Sequence, residues 1–302
     1  MEYSVVVPVM NEEENVELLY DKLVEAFETM GKPYEIIIVD DGSTDRTVKI
    51  LEKIRLKDKN LNLIKFRRNF GQSAAMGAGF KYSRGNIIIA MDGDLQNDPA
   101  DIPKLVAKLD DGFDVVSGWR KNRKDKVIIR KLPSRIANRL IQFLTRVEIH
   151  DTGCSLKAYR KDIIKKVRVY GELHRFIPAL ARIEGAKVGE VVVNHHSRKF
   201  GKSKYKITRT FKVVMDLTTL NRLMKYLSNP MRFFGLLGIV FNLSGVLALF
   251  SILYCVGILR YTLEDINVLL STAFILLAGG FQSFFFGLLA KIVVKNGDRT
   301  RI

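Results

Sequence analysis

Two stretches near the C-terminal end constrain this chain more than any other feature. Neither Phe233 to Gly257 nor Ile266 to Ala290 contains a charged residue, and each run is 25 residues long. As a helix, such a run extends about 37 Å, against a bilayer hydrocarbon core of about 30 Å. The linker between them, ILRYTLED, is short, so the two form a hairpin. Arg222, Lys225 and Arg232 precede the hairpin, and Lys291, Lys295, Arg299 and Arg301 follow it. Its own loop holds only Arg260 with Glu264 and Asp265. This bias predicts a protein of the cell membrane with two spans, both ends of the hairpin and the larger N-terminal part facing the cytoplasm.

The first 115 residues read differently. YSVVVPV, YEIIIVDDGSTD, LNLIKFRRNFG, NIIIAMDGD and FDVVSGW are strand-like apolar runs. Between them, EENVELLYDKLVEAFETMG and QSAAMGAGFKYSRG carry helical patterns, the first closed by Gly31. Ser43, Thr44 and Asp45 are candidate caps for a helix after the second strand. Near-continuous Val/Ile strands alternating with helices predict an α/β fold with a mostly parallel sheet covered on both faces. Ligands of such sheets bind beyond the carboxyl ends of the strands. Three runs end in acids there: Glu12 to Glu14, then Asp40 and Asp41, then Asp92 and Asp94. A single group of that kind is a helix cap; three converging groups predict a site.

From Gly118 the chain turns basic. GWRKNRKDKVIIRKLPSRIANR holds nine basic residues and one acid, and RKFGKSKYKITRTFK holds seven and none. Apolar stripes over Ile136 to Val147 and Ile207 to Leu227, bordered by Arg and Lys, predict amphipathic helices at the membrane interface. The formal charge of +17 points to an anionic partner, which includes phosphorylated substrates and membrane surfaces. Two cysteines, Cys154 and Cys255, cannot build a disulfide framework or a thiolate zinc site.

Asp92-x-Asp94 at a strand end offers oxygens to one hard divalent cation, and Mg²⁺ and Mn²⁺ complete so sparse a shell with substrate phosphates. Gln96 adds a carbonyl oxygen or an outer hydrogen bond. The motifs VVVPVMNEEENV, IIIVDDGSTDRT, NFGQSAAMGAG, MDGDLQNDP and GCSLKAYR, in this order, resemble those of family 2 nucleotide-sugar glycosyltransferases, which have the Rossmann-like GT-A fold. RKFGKSKY, a basic helix and a membrane hairpin make the likeness greatest to the branch that transfers sugars to polyprenyl phosphates: dolichyl-phosphate mannose synthases and bacterial undecaprenyl-phosphate sugar transferases. The resemblance covers about residues 3 to 230 and implies a GT-A domain over 1–204, juxtamembrane amphipathic helices over 205–232 and a transmembrane hairpin over 233–295.

The resemblance also implies roles. Pro8, Glu12, Asp40 and Asp41 would bind the nucleotide, the Asp side chain accepting the imino hydrogen of uracil or guanine. Asp92, Asp94 and Gln96 would hold Mg²⁺ or Mn²⁺. The family often has Asp-Ala-Asp where this chain has Asp-Gly-Asp, and often Tyr where it has Met10. A lipid phosphate has a second pKa of about 6, so it is largely ionised near neutral pH and needs positioning more than a strong base. Arg120, Arg135, Arg198, Ser203 and Lys204 are the acceptor-phosphate candidates, and Asp151 is expected to orient the nucleophile or stabilise the sugar. His195 and His196 read as structural, and Trp119 as packing.

The implied partners are a nucleoside-diphosphate sugar (UDP-glucose or a related UDP-hexose ahead of GDP-mannose), a polyprenyl phosphate, the membrane and possible further copies of the chain. A processive polysaccharide synthase would carry a Gln-x-x-Arg-Trp segment and more spans, whereas the one Trp here, Trp119, follows Gly118. A non-enzymatic reading, a basic membrane-anchored scaffold or a nucleic-acid-binding domain, is disfavoured by the acidic strand ends, which repel a polyanion, so no nucleic-acid partner is expected.

Overall fold

The computed structural model describes residues 1–121, 149–167, 173–183, 185–197, 230–262 and 264–299. The chain divides into two compact units, 1–217 and 218–302. Both predicted interfacial helices, along with Arg135, Arg198, Ser203 and Lys204, lie outside the described residues.

The first unit is built on a seven-stranded sheet of order β3-β2-β1-β4-β6-β5-β7. The strands are β1 (Tyr3–Val9), β2 (Tyr34–Asp40), β3 (Leu61–Lys65), β4 (Ile87–Ala90), β5 (Val115–Trp119), β6 (Lys157–Arg160) and β7 (Val188–Val192). The five predicted strands are all present. β6 alone among these runs against its neighbours: it pairs antiparallel with both β4 and β5, while the other pairings are parallel. That reversal matters for the site. It starts β6 at the edge where the others finish, with Lys157 in register with Ala90 and Ser117.

Helices α1 (Val16–Met30), α2 (Thr47–Lys57), α3 (Gln72–Tyr82) and α4 (Ile102–Asp110) fill the crossovers; short α5 (Lys161–Ile164) and α6 (Ile177–Ile183) follow β6. Strand residues alternate between two cores. Val5, Val7, Ile36, Ile38 and Ile89 pack with Leu19, Leu23 and Phe27 of α1, while Val6, Ile37, Val39 and Ile88 pack with Ala75, Met76 and Phe80 of α3. Sheet residues buried on both faces explain the unbroken Val/Ile runs. Gly31 ends α1 at φ 62°, a left-handed cap that favours glycine.

In the second unit, α7 (Pro230–Gly257) and α8 (Asn267–Arg299) are long and apolar enough to cross a membrane. Only 11% and 22% of their most apolar windows are buried, whereas the core helix of a soluble fold is mostly buried. Leu236, Phe250, Phe274 and Ile275 are more than 60% exposed, a surface that water would penalise and lipid accepts. The helices meet through small residues. A Cβ on Gly238 would lie 2.9 Å from the Gly280 carbonyl oxygen, and one on Gly245 2.7 Å from Leu277. Such close approach is how helices associate in lipid, where no hydrophobic effect drives them together.

Candidate active site

Parallel strands deliver the ends of β1, β2, β4, β5 and β7 to one edge, and the reversed β6 adds its beginning. Two clusters of polar residues occupy that edge.

The first joins the loops after β1 and β2. Ser43 Oγ accepts from the Asn11 amide (2.8 Å), Asn11 Oδ1 accepts from the Thr44 amide (2.8 Å), and Thr47 Oγ1 accepts from the Glu12 amide (2.9 Å). Burial works to raise the Asp45 pKa, but hydrogen bonds from Thr47 and Glu13 outweigh it and hold the carboxyl below its usual range. Ser43, Thr44 and Asp45 therefore tie two loops together rather than simply capping α2, although Asp45 does accept from the Thr47 amide (2.9 Å). Glu12 accepts from Asn15 Nδ2 (2.6 Å), and Glu13 from Arg46. Pro8, which lacks an N–H, stands past the β1–β4 ladder, which ends at Val6 and Ala90.

Asp40 and Asp41 differ in what they hold. Asp41 is buried, and its two oxygens accept from the amides of Phe70 (2.7 Å) and Gly71 (3.0 Å). Its carboxylate pins the loop before α3. Gly42 at φ 76° lets that loop approach: a Cβ there would sit 2.6 Å from the Arg68 carbonyl carbon. Asp40 is also buried. Its Oδ2 accepts from the Ser43 amide (3.1 Å), and its Oδ1 has no hydrogen-bond partner. A buried carboxylate oxygen left unpaired is costly, and an imino N–H placed there would satisfy it.

The second cluster surrounds the Asp92–Asp94 turn. Asp92 Oδ1 accepts from Gln72 Nε2 (2.6 Å), and Asp94 Oδ1 from the Gln96 amide (3.2 Å). Leu95 is buried at φ 59°, a strained conformation for a branched residue and one found where a turn is over-determined. Gly93 is more than a flexible link between the acids, because a Cβ there would lie 2.7 Å from Val9 Cγ1. Burial first, and then the Asp94 carboxylate, push the Asp92 carboxyl above its usual range; Ser155, Arg120 and Arg175 pull the other way. A buried carboxyl whose proton affinity is raised further by a neighbouring carboxylate fits a cation beside it. Among the described residues no three acids, histidines or cysteines converge. Two carboxylates with Gln96 suit Mg²⁺ or Mn²⁺, whose shells are completed by phosphate oxygens and water.

Arg120 and Asp151 form a forked pair, Nε to Oδ2 at 2.7 Å and Nη2 to Oδ1 at 3.0 Å, with each side chain 10% exposed. Burial opposes the guanidinium charge, and Asp151 more than restores it. Asp151 also accepts from the Gly153 amide (3.2 Å). The two residues were expected at the acceptor separately; the structure makes them one unit. Lys157 is 3% exposed and donates to the carbonyls of Thr152 (3.3 Å) and Cys154 (2.5 Å), bracing the turn that carries Asp151. Burial lowers its pKa to about 8 and raises that of the Cys154 thiol to about 11. Gln72, Asp92, Ser155, Lys157, His174 and Arg175 line a cavity of about 20 Å³.

Gln72, Ser155, Lys157 and Arg175 were not anticipated. Lys157 left one trace, a cation between Leu156 and Ala158, both fully buried. The histidines hold structure: His195 bridges Asn97, and His196 bonds Asp98 (2.9 Å). Trp119 packs on the His150 ring, centroids 4.4 Å apart.

Residues 4–168 match the family described as Glycosyl transferase family 2. The chain is 43% identical over 303 residues to the dodecaprenyl-phosphate galacturonate synthase of Rhizobium johnstonii, spanning 98% of this chain and 88% of that protein. Its fold is similar to that of the glucosyl-3-phosphoglycerate synthase of Mycobacterium tuberculosis in complex with Mn²⁺, uridine diphosphate and phosphoglyceric acid, with TM-score 0.56 and 18% identity over 73% of this chain and 78% of that one. It is also similar to S. aureus TarS 1-349 in complex with UDP-GlcNAc, with TM-score 0.51 and 21% identity over 73% and 66%.

Proposed function

The chain belongs to glycosyl transferase family 2, with a GT-A-like sheet, and on that premise we propose that it moves one sugar from a nucleoside-diphosphate sugar to a polyprenyl phosphate. The observation that carries this reading is the alignment with a dodecaprenyl-phosphate sugar synthase over 98% of the chain, the apolar hairpin included. The catalytic unit faces the cytoplasm, as the basic flanks of the hairpin favour.

In this reading, Asp40 Oδ1 accepts the imino N–H of the base, and the loop pinned by Asp41 walls the nucleotide. Asp92, Asp94 and Gln96 hold Mg²⁺ or Mn²⁺, which when bound neutralises the diphosphate leaving group. A lipid phosphate oxygen forms the new bond to the anomeric carbon as the bond to the diphosphate breaks, inverting that carbon. Asp151 fixes the guanidinium of Arg120, so that the N–H groups not bonded to Asp151 meet phosphate oxygens in a set geometry. Arg135, Arg198, Ser203 and Lys204 add acceptor contacts.

The donor is a UDP-hexose or its uronic acid. UDP-glucose follows from the likeness to the bacterial branch. The uronate is favoured by the galacturonate relative and by Arg175, a cation that lines the same cavity as Asp92. The test is radiolabel transfer into the organic phase from UDP-glucose, UDP-galactose, their uronates and GDP-mannose, with polyprenyl phosphate and Mn²⁺. Transfer from a UDP-sugar is expected; transfer from GDP-mannose alone would overturn the assignment of the base.

A further inference from the structure

Gln282 lies two residues, about 3 Å, from the midpoint of the apolar run Asn267–Val293. It is exposed. It sits about 200° around α8 from Gly280, which faces Asn242 of α7. Other polar side chains in these helices close onto the carbonyl four residues back: Asn242 onto Gly238 (2.8 Å), Ser251 onto Leu247 (3.0 Å), Thr272 onto Val268 (2.8 Å) and Ser283 onto Gly279 (2.8 Å). Among the described residues Gln282 makes no hydrogen bond. An amide left unpaired in hydrocarbon is costly, and the headgroups are about 15 Å away, beyond the reach of a glutamine.

The residues around it form a pattern. Ser271, Ile275, Ala278, Gln282, Phe285 and Leu289 are all exposed and follow one another at spacings of four, three, four, three and four. That is the repeat by which two helices wrap with a left-handed crossing of about 20°. The face packed on α7 is the opposite one, through Ala273, Gly280 and Gly287. Copies of one membrane protein insert in the same orientation, so two α8 helices run parallel and a central residue meets its own counterpart at the same depth. An amide carries both donor and acceptor and is its own complement. We propose that this stripe is a pairing surface for a second copy of the chain, centred on hydrogen bonds between the two Gln282 amides. Ser271 and Ala278 permit close approach, and the larger side chains fill the remaining contact.

The proposal rests on reading α7 and α8 as membrane spans, so carbonate extraction of membranes comes first. Release of the protein into the soluble fraction would overturn the pairing by removing its premise. Disulfide trapping in membranes follows, in full-length protein with Cys255→Ser. Trapping is expected for Gln282→Cys and Ala278→Cys and not for Phe281→Cys or Leu288→Cys, which point elsewhere; equal trapping at all four, or at none, refutes the surface. In vesicles, energy transfer between labelled copies measures the dissociation constant as lipid dilutes the protein. Gln282→Leu is expected to raise that constant about tenfold, and Gln282→Asn to keep most of the association. An unchanged constant for Gln282→Leu contradicts the proposal.

Discussion

Asp41→Asn separates two duties that adjacent acids can share. In the native loop both Asp41 oxygens accept backbone amides, at 2.7 and 3.0 Å, from a buried position. Asparagine keeps one acceptor and turns its NH₂ toward the other amide, so one charge-assisted bond is lost and two donors face each other. Hydrogen bonds to charged groups contribute about 1.5–3 kcal/mol, and an unsatisfied buried donor adds a similar cost, so a loss of about 3 kcal/mol is expected. For a unit of this size that lowers the melting temperature by about 6–12 °C. Asp40→Asn should behave differently. Its Oδ1 supports no internal bond, so melting changes little, while UDP affinity falls about ten- to hundredfold as the base N–H loses its acceptor. Scanning fluorimetry and calorimetric UDP titration on both variants provide the assay. Native-like melting of Asp41→Asn, with UDP affinity lost as far as in Asp40→Asn, would refute the division of roles.

Asp94→Asn removes one charge from the cation site and should cut transfer a hundredfold or more, with UDP binding in chelator retained; normal turnover that chelator still abolishes would place the cation elsewhere. Gly93→Ala should cost about 1–3 kcal/mol in thermal or denaturant unfolding and lower kcat, because its methyl meets the stiff Val9 side chain at 2.7 Å; unchanged kcat and stability would count against the tight turn. The Cys154 thiol, raised to about 11 by burial, stays protonated as pH rises through the ordinary thiol range, so at pH 8 a maleimide should spare Cys154 until the protein unfolds; mass spectrometry of its peptide before and after denaturation decides, and full modification of the native protein would count against the burial. Arg120→Lys should lower transfer at subsaturating lipid phosphate while leaving UDP affinity intact, since an ammonium does not reproduce the fork to Asp151; titration of the acceptor measures it.

The parts of this molecule that local chemistry decides were legible in the sequence. Val/Ile runs buried on both faces marked five strands, and an uncharged run needs only its length to mark a helix that can span lipid. Asp92 and Asp94 stood out because two acids one residue apart at a strand end have few bland explanations once a second and third strand end alike, and they do follow the end of β4. The reversed β6 was not legible. Lys157–Arg160 is four residues long, and its direction is set by pairing with β4, some 70 residues earlier in the chain. With it went Lys157 and Ser155, which the reversal carries, beside the expected Asp151, to the edge where the other strands end. The division of work between Asp40 and Asp41 was not legible either, because nothing adjacent shows that the second is spent on amides of Phe70 and Gly71.

The most direct test is mass spectrometry of the organic extract after the purified full-length protein reacts with a UDP-sugar, Mn²⁺ and polyprenyl phosphate. The account predicts one new lipid, the acceptor plus a single sugar residue, formed together with UDP. That product should be absent when polyprenyl alcohol replaces the phosphate and when Asp94→Asn replaces the native protein. A ladder of lipids bearing two or more sugars, or equal product from the alcohol, would contradict transfer of one sugar to a lipid phosphate.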